Sequence, residues 1–417
     1  MTGAAHGRAA DRRAVLLVHS SAGRYGADRQ LQLIAAGLDR SRYEPIVVLP
    51  EPGPLGEELR AAGVEVLIRP LAVLRRGLLH PAGLAGVLAG AARNGTALGA
   101  LIRRREVALV HSNTSVVLGG AAAAALARVP HVWHVREIYT RFGRAWPPYR
   151  RLLGTAATLP CVSRATAAQF AAGDRVPVIP DGLALDAGRA PRTAARQVLG
   201  LPADAPVIAV LGRISDWKGQ DVLVRALAEG QLRDRGAVGL IAGEAWPGAE
   251  HRRDGVLALA ARLGVGDRLA LIGFREDVQT IYGAVDLIAV PSTAPDPLPG
   301  AAIEAAAAGC AVIASNHGGL PEIIRDRITG RLVAPGDPAV LARVAGELLD
   351  DPAQRERLGT AAALDVRARF APQRLLASVQ ELYDTCLAQR GSGSPRRARP
   401  GRRPPGRKPK AGRSPAP

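Results

Sequence analysis

PSTAPDPLPGAAIEAAAAGCAVIASNHGG, residues 291–319, is the stretch on which the reading of this chain turns. Just before it, residues 286–290 (DLIAV) form an apolar run with the length of a buried strand, stopping at Pro291-Ser292. Asp296 then lies in a proline-rich loop, DPLPG, expected to close over a ligand rather than pack into a core. Residues 300–309 are alanine-rich and strongly helix-forming, and they carry a single acid, Glu304. A second strand, 311–315, ends in Asn316-His317-Gly318-Gly319. An acidic loop, a helix N-terminus and a glycine-rich turn thus gather at the carboxyl ends of two strands. In open α/β sheets ligands bind at that edge. Free amides at a helix N-terminus suit a phosphate.

Working outward, short apolar strands are expected at 14–19, 46–50, 64–68, 109–111, 131–133, 159–163 and 176–180, most of them separated by helical sequence. That alternation predicts a parallel, doubly wound sheet. Residues 181–201 lose the pattern and read as a connection. A second series follows at 207–211, 238–242, 269–272, 286–290, 311–314 and 330–333, then helical sequence to about 389. Two doubly wound halves in tandem predict a cleft between facing carboxyl edges.

Composition narrows the class. The chain has 417 residues, 47% of them hydrophobic, enough for two or three packed domains. Cys161, Cys310 and Cys386 are far apart and odd in number, without metal-ligand spacing, and are expected as reduced thiols. Residues 1–13 contain no apolar segment, so no secretory leader is expected. The stretch 83–102 is interrupted by Arg93-Asn94 and 116–127 is too short to span a bilayer, so both read as soluble helices. The formal net charge is +18, but half of it sits in residues 391–417, a Gly/Ser/Pro/Arg segment unable to bury a core.

Three constellations stand at strand ends. Gly212-Arg213-Ile214-Ser215-Asp216-Trp217-Lys218-Gly219 lies between a strand and a helix. Arg and Lys together, a planar fork and a point charge, complement a diphosphate, and both are expected exposed in the cleft. SSAGRYGADRQL, residues 20–31, is a glycine-rich turn into a helix that does not match G-x-G-x-x-G. Gly23 there would let the backbone approach a ligand. HVWHVRE, residues 131–137, runs from a strand into a polar turn, where Arg136 and Glu137 could form a local ion pair. Taken alone, Asp296 and Glu304 are equally a macrodipole-favoured Asp and a solvated Glu.

Together these motifs resemble a known family. D-P-L-P-G-A-A-I-E-A-A-A-A-G, residues 296–309, is similar to the carboxylate–seven residues–carboxylate signature of retaining, nucleotide-sugar-dependent glycosyltransferases of the GT-B fold, family 4. Its usual form is E-P-F-G-L-V-x-L-E-A-M-A-x-G, so Asp296, Leu298 and Pro299 stand for Glu, Phe and Gly. Residues 212–219 resemble the family's G-R-x-x-x-x-K-G, residues 20–31 its G-A-E-R-x-L helix start, and His134 its V-x-H-x-x-E/D stretch. Val162-Ser163 with Thr166, then VIPDG (178–182), resemble V-S…T and V-I-P-N-G, with Asp181 for Asn. GFREDV (273–278) with Tyr282 and Asp286 resembles G-x-x-x-D-V…Y…A-D. The likeness covers residues 14–385 in order.

The resemblance implies a GT-B architecture: two doubly wound Rossmann-like α/β domains facing across a cleft. Residues 14–183 would be the acceptor-binding domain and 184–371 the nucleotide-sugar domain. Residues 372–390 would be a helix crossing back onto the first domain, and 391–417 a disordered basic tail. It implies transfer of a sugar, with retention, from a nucleotide-diphosphate donor to a glycan, lipid-linked or small-molecule acceptor. Glu304 would bind the ribose hydroxyls and Asp296 those of the donor sugar. Arg213 and Lys218 would neutralise the diphosphate, assisted by the amides of Gly300 and Ala301. His134 would face the donor sugar from the other domain. Gly23, Gly212 and Phe274 would complete the donor site, Phe274 near the base. Retention without an obvious nucleophile implies a front-face reaction in which the leaving phosphate oxygen takes the acceptor proton. No D-x-D motif is present, so no metal is expected, and no cofactor beyond the nucleotide-sugar co-substrate.

Two alternatives stay open at this stage. One is a sugar-nucleotide epimerase of the same fold. The other is a protein that binds nucleic acid or an anionic surface through its tail, although that tail has no aromatic residue to stack on bases, so no specific nucleic acid is expected. A cytoplasmic chain is expected, with the inner face of a membrane as a peripheral contact open to the tail.

Overall fold

A computed structural model describes residues 12–78, 80–140, 142–171, 175–183 and 188–391. The basic stretch 392–417 lies outside them. Strands β1 (Arg13–Val18), β2 (Tyr43–Leu49), β3 (Glu65–Ile68), β4 (Leu109–Ser112) and β5 (His131–Trp133) form one sheet, ordered β3-β2-β1-β4-β5. Strands β6 (Val207–Leu211), β7 (Val238–Ala242), β8 (Leu269–Leu271), β9 (Leu287–Val290), β10 (Val312–Ser315) and β11 (Arg331–Val333) form the other, ordered β11-β10-β9-β6-β7-β8. All these ladders are parallel. A parallel strand needs a crossover to its neighbour, so helices cover both faces and the strands read as continuous apolar runs. Leu16 and Leu17 of β1 illustrate this, since both are fully buried yet belong to different cores on opposite faces. Each such side chain contributes about 1.5–3 kcal/mol of burial.

Residues 159–163 and 176–180 do not become strands. They extend the first sheet by isolated bridges only, Val135 to Cys161 and Cys161 to Val178. Pro160, Pro177 and Pro180 lack an amide donor, so no regular ladder propagates there.

After the second sheet the chain forms the helices Pro338–Asp350 and Pro352–Arg369. The last helix, Pro372–Gly391, then leaves that domain and lies against the helix Gly26–Gly37 of the first. Leu375, Val379, Tyr383 and Leu387 on it join the first domain's core. Tyr43 donates through its hydroxyl to Asp384 at 2.6 Å, tying the crossing helix to β2. A second tie is Glu322, whose carboxylate accepts from the backbone amides of Arg164 and Ala165 at 2.9 and 2.8 Å. Both sheets therefore present their carboxyl edges to one shared cleft.

Candidate active site

Three segments of the second domain are locked together at the ends of β6, β9 and β10. The turn after β6 ends in Gly219, whose φ of +80° is left-handed. A Cβ there would overlap the Pro291 carbonyl, so only glycine lets this turn pack on the end of β9. The Thr293 amide donates to the Trp217 carbonyl at 2.8 Å. The turn after β10 is held equally closely, because the Gly319 amide donates to the Asp296 carbonyl at 2.7 Å and a Cβ on Gly319 would overlap Pro297. The proline-rich loop is thus a rigid element pinned on both sides.

Its acid is already engaged. Lys218 Nζ donates to Asp296 Oδ2 at 2.6 Å, with side-chain exposures of 22% and 6%. Lys218 is therefore less open to solvent than expected, because a nearly buried carboxylate draws it onto the loop. Glu304 follows on the helix Gly300–Ala307, whose N-terminus carries no side-chain cap. Burial pushes the Glu304 carboxyl above its ordinary range, opposed by Arg29 and by the Tyr282 hydroxyl, which donates to Oε2 at 3.4 Å.

Arg213 is held differently. Its guanidinium lies over the rings of Tyr25, at 3.7 Å, and Trp246, at 3.2 Å from the ring centroids. Tyr25 belongs to the first domain and also contacts Phe274, with ring centroids 5.6 Å apart. Burial lowers the Arg213 pKa, with Tyr25 and Asp28 opposing. No hydrogen bond or ion pair from this guanidinium occurs among the described residues, so its N–H edges stay available for an anion. Arg24 reinforces the same junction by pairing with Glu58 of its own domain at 2.7 Å and with Glu276 of the other.

Between the domains lies a cavity of about 800 Å³. Asp296, Gly300 and Glu304 line it from one side, and Arg29, Arg136 and Glu137 from the other. The size and the mixture of apolar walls with a few convergent polar groups are those of a small-molecule site. Arg136 and Glu137 do not form the local side-chain ion pair considered above. Arg136 pairs with Asp181, while Glu137 is held by Ser115, because the two side chains of an extended segment point to opposite sides.

His134 is a correction. It does not line the cavity and is fully buried in the first domain, its ring stacked on His111 with centroids 5.5 Å apart. The His134 amide still donates to Ser112, at 2.9 Å, so the residue keeps the sheet's register and its ring turns inward. Burial, then the charge of Arg136, holds its pKa well below the usual imidazole range. Gly23, Gly212, Arg213, Lys218, Phe274 and Ala301 also lie outside the cavity lining, Lys218 meeting it only through its pair with Asp296. Phe274 instead frames the Tyr25–Arg213 junction. Sequence reasoning passed over Tyr25, Trp246, Arg24 and Arg29. A usable signal existed, since only 3% of residues are aromatic, yet Tyr25, Trp217, Trp246 and Phe274 all fall in loops after strands.

Comparisons with known proteins give the family. The family described as glycosyl transferases group 1 matches residues 191–365, and glycosyltransferase family 4 matches residues 24–187. The chain belongs to the group 1, family 4 glycosyltransferases. A D-inositol 3-phosphate glycosyltransferase of Streptomyces scabiei is 37% identical over 226 residues, 51% of this chain and 49% of that protein. One from Nocardia farcinica is 37% identical over 220 residues, 51% and 48% respectively. The chain thus spans about half the length of these curated relatives. Anabaena HepE, solved with UDP and glucose, superposes with a TM-score of 0.76 at 26% identity, covering 89% of this chain and 99% of that one. Sucrose-phosphate synthase from Thermosynechococcus elongatus shares the GT-B fold, with a TM-score of 0.74 at 22% identity over 91% and 100% of the two chains. Among the described residues no helix is long and apolar enough to cross a membrane, and no group of three or more His, Cys, Asp or Glu is placed to hold a metal ion.

Proposed function

We propose that this chain is a retaining glycosyltransferase that moves a sugar from a nucleotide-diphosphate donor, with UDP-glucose the first candidate, to a hydroxyl-bearing acceptor. The observation that carries the reading is the Lys218–Asp296 pair and an uncapped helix N-terminus bearing Glu304 at an interdomain cavity, with the Arg213 guanidinium at the domain junction outside its lining. As the glycosidic bond breaks, negative charge gathers on the departing diphosphate. Fixed cations and amides placed where that charge develops lower the barrier electrostatically. Arg213 supplies edge donors and Lys218 a point charge, so the chain's own residues can neutralise the diphosphate and no divalent ion is required by this reading. Glu304, raised in pKa by burial, accepts from the ribose hydroxyls, and Asp296 accepts from the donor sugar.

HepE, solved with UDP and glucose, supports the choice of donor. The first domain would hold the acceptor, a glycan, lipid-linked or small molecule. The front-face course places the acceptor hydroxyl on the same side as the departing phosphate. A phosphate oxygen takes its proton as the new C–O bond forms and the old one breaks. Thermal shift against UDP, GDP, ADP and their glucosyl derivatives tests the reading, since a bound donor stabilises by mass action. A shift with one nucleotide, followed by NMR assignment of a product with the donor's anomeric configuration, is expected. Inversion of that configuration, or no nucleotide response, would overturn it.

A further inference from the structure

We propose that Glu137 is the residue that binds the acceptor, taking a hydrogen bond from a hydroxyl of a polyhydroxylated ring seated on the first-domain wall of the cleft. The proposal rests on the glycosyltransferase reading above and names the acceptor half of that site.

Glu137 is held in an unusual way. Among the described residues, every hydrogen bond to its side chain converges on one carboxylate oxygen, Oε2. That atom accepts from the Ser115 hydroxyl, from the Ser115 amide at 3.4 Å, from the Arg136 amide at 3.1 Å and from the Tyr139 hydroxyl at 3.5 Å. The Ser115 hydroxyl also shares a hydrogen bond with Tyr139 at 2.5 Å, and the Tyr149 hydroxyl donates to the Ser115 carbonyl at 2.5 Å. The carboxylate is therefore clamped in one orientation, as a preorganised binding group must be. Its other oxygen, Oε1, has no hydrogen-bond partner among the described residues, and Glu137 lines the interdomain cavity. One oxygen anchors the group and the other is left to a ligand.

The surroundings specify what that ligand is. Tyr139 and Phe142, 4.6 Å apart and edge to face, line the cavity with Leu74 and Val116. Such a wall packs against the C–H face of a ring. Arg75 and Arg136 also line it, so a cationic ligand is repelled and a neutral O–H donor is what a carboxylate can accept here. A hydroxyl beside a C–H face is the chemistry of a sugar or a cyclitol. The cluster lies wholly in the first domain, opposite Glu304 and Asp296, so it does not compete for the donor. Burial pushes the Glu137 carboxyl up, against its hydrogen bonds from Ser115, and this strengthens it as an acceptor.

The test is titration of the full chain with methyl α-D-glucopyranoside, methyl α-D-mannopyranoside and myo-inositol by saturation-transfer NMR, with and without saturating UDP. The wild type is expected to bind at least one of the three. Glu137→Gln is expected to weaken it about tenfold or more, the loss of a charge-assisted hydrogen bond, with UDP affinity unchanged within about twofold. Phe142→Ala, which leaves the carboxylate clamp in place, is expected to weaken the same probe and serves if Glu137→Gln does not fold. No binding of any probe by the wild type, or unaltered binding in the folded variants, would overturn the proposal. Loss of UDP binding in the wild type would instead strike the donor reading, because the titration without UDP stands on its own.

Discussion

The ring of Tyr25 of the first domain lies against the guanidinium of Arg213 of the second, 3.7 Å from carbon to ring centroid, and Trp246 lies against it at 3.2 Å. The group proposed to meet the departing diphosphate is thus oriented partly by the opposite domain. A cation over an aromatic face is worth about 0.5–2 kcal/mol. Tyr25→Ala should therefore lower turnover of UDP-glucose about two- to thirtyfold. Tyr25→Phe, which keeps the ring, should stay close to wild type. Steady-state kinetics decide, and equal losses for both variants would remove the stacking role.

Lys218 and Asp296 form a pair that serves stability and chemistry at once. Lys218→Ala should lower turnover by roughly two to three powers of ten, the usual effect of losing one preorganised charge-stabilising group. It also leaves the nearly buried Asp296 carboxylate without its lysine, at about 1–3 kcal/mol. Stability should therefore fall together with activity, and Lys218→Ala with Asp296→Asn should recover stability but not turnover. A single variant that melts normally and works normally would show that the pair does neither job.

Much of this was legible in the sequence. Strands with continuous apolar content, such as residues 207–211 and 238–242, matched the structure at both ends, because buried parallel strands announce themselves. The carboxylate spacing placed Asp296 and Glu304 at the same cavity. What escaped was whatever depends on the opposing domain or on side-chain direction. The Tyr25–Arg213 contact joins residues far apart in sequence, and no local pattern encodes it. His134 was misread because a strand-end histidine can face either side, and register with Ser112 decided for the core. Glu137 lay within a noticed motif, but its clamp by Ser115 required the fold.

Glu304 gives a pH signature. Burial raises its pKa in the folded chain above the ordinary 4.5. A folded-state carboxyl raised in this way favours the native state at low pH, and that contribution is lost as pH rises through the raised value. The charged carboxylate at neutral pH is thus a cost carried by the free protein. Glu304→Gln should raise the melting temperature at pH 7, with the gain fading toward pH 4.5, while UDP binding weakens. Melting curves from pH 4.5 to 8 with parallel UDP titrations check both halves. A destabilised variant at pH 7 would contradict this account.

Turnover of UDP-glucose should persist in excess EDTA. The motive is the provision of two cations, Arg213 and Lys218, for one diphosphate. Activity that vanishes in EDTA and returns with Mg²⁺ or Mn²⁺ would overturn the metal-free reading while leaving the fold untouched.

The crossing helix offers a stability test away from the cleft. Tyr383 on that helix shares a hydrogen bond with Nδ1 of His111 at 2.6 Å, and both residues are buried. Nε2 of His111 has no partner, so Tyr383→Phe would strand both ring nitrogens in the core. An unsatisfied buried polar group costs about 1–3 kcal/mol, and 1 kcal/mol moves the melting point of a domain of this size by about 2–4 °C. A drop of roughly 2–12 °C is expected on that basis. Burial, with Arg136, His131 and His19 adding to it, pushes the His111 pKa from 6.5 down to about 3. A depressed folded-state pKa means that stability is present above 6.5 and is lost as pH falls from there toward 3. The phenylalanine variant keeps His111 buried and neutral, so it should follow the same slope. The gap between wild type and Tyr383→Phe should accordingly be equal at pH 6 and pH 8. A gap that closes at pH 6 would mean that the variant lets His111 take up a proton, and that Tyr383 holds the histidine neutral rather than merely satisfying it.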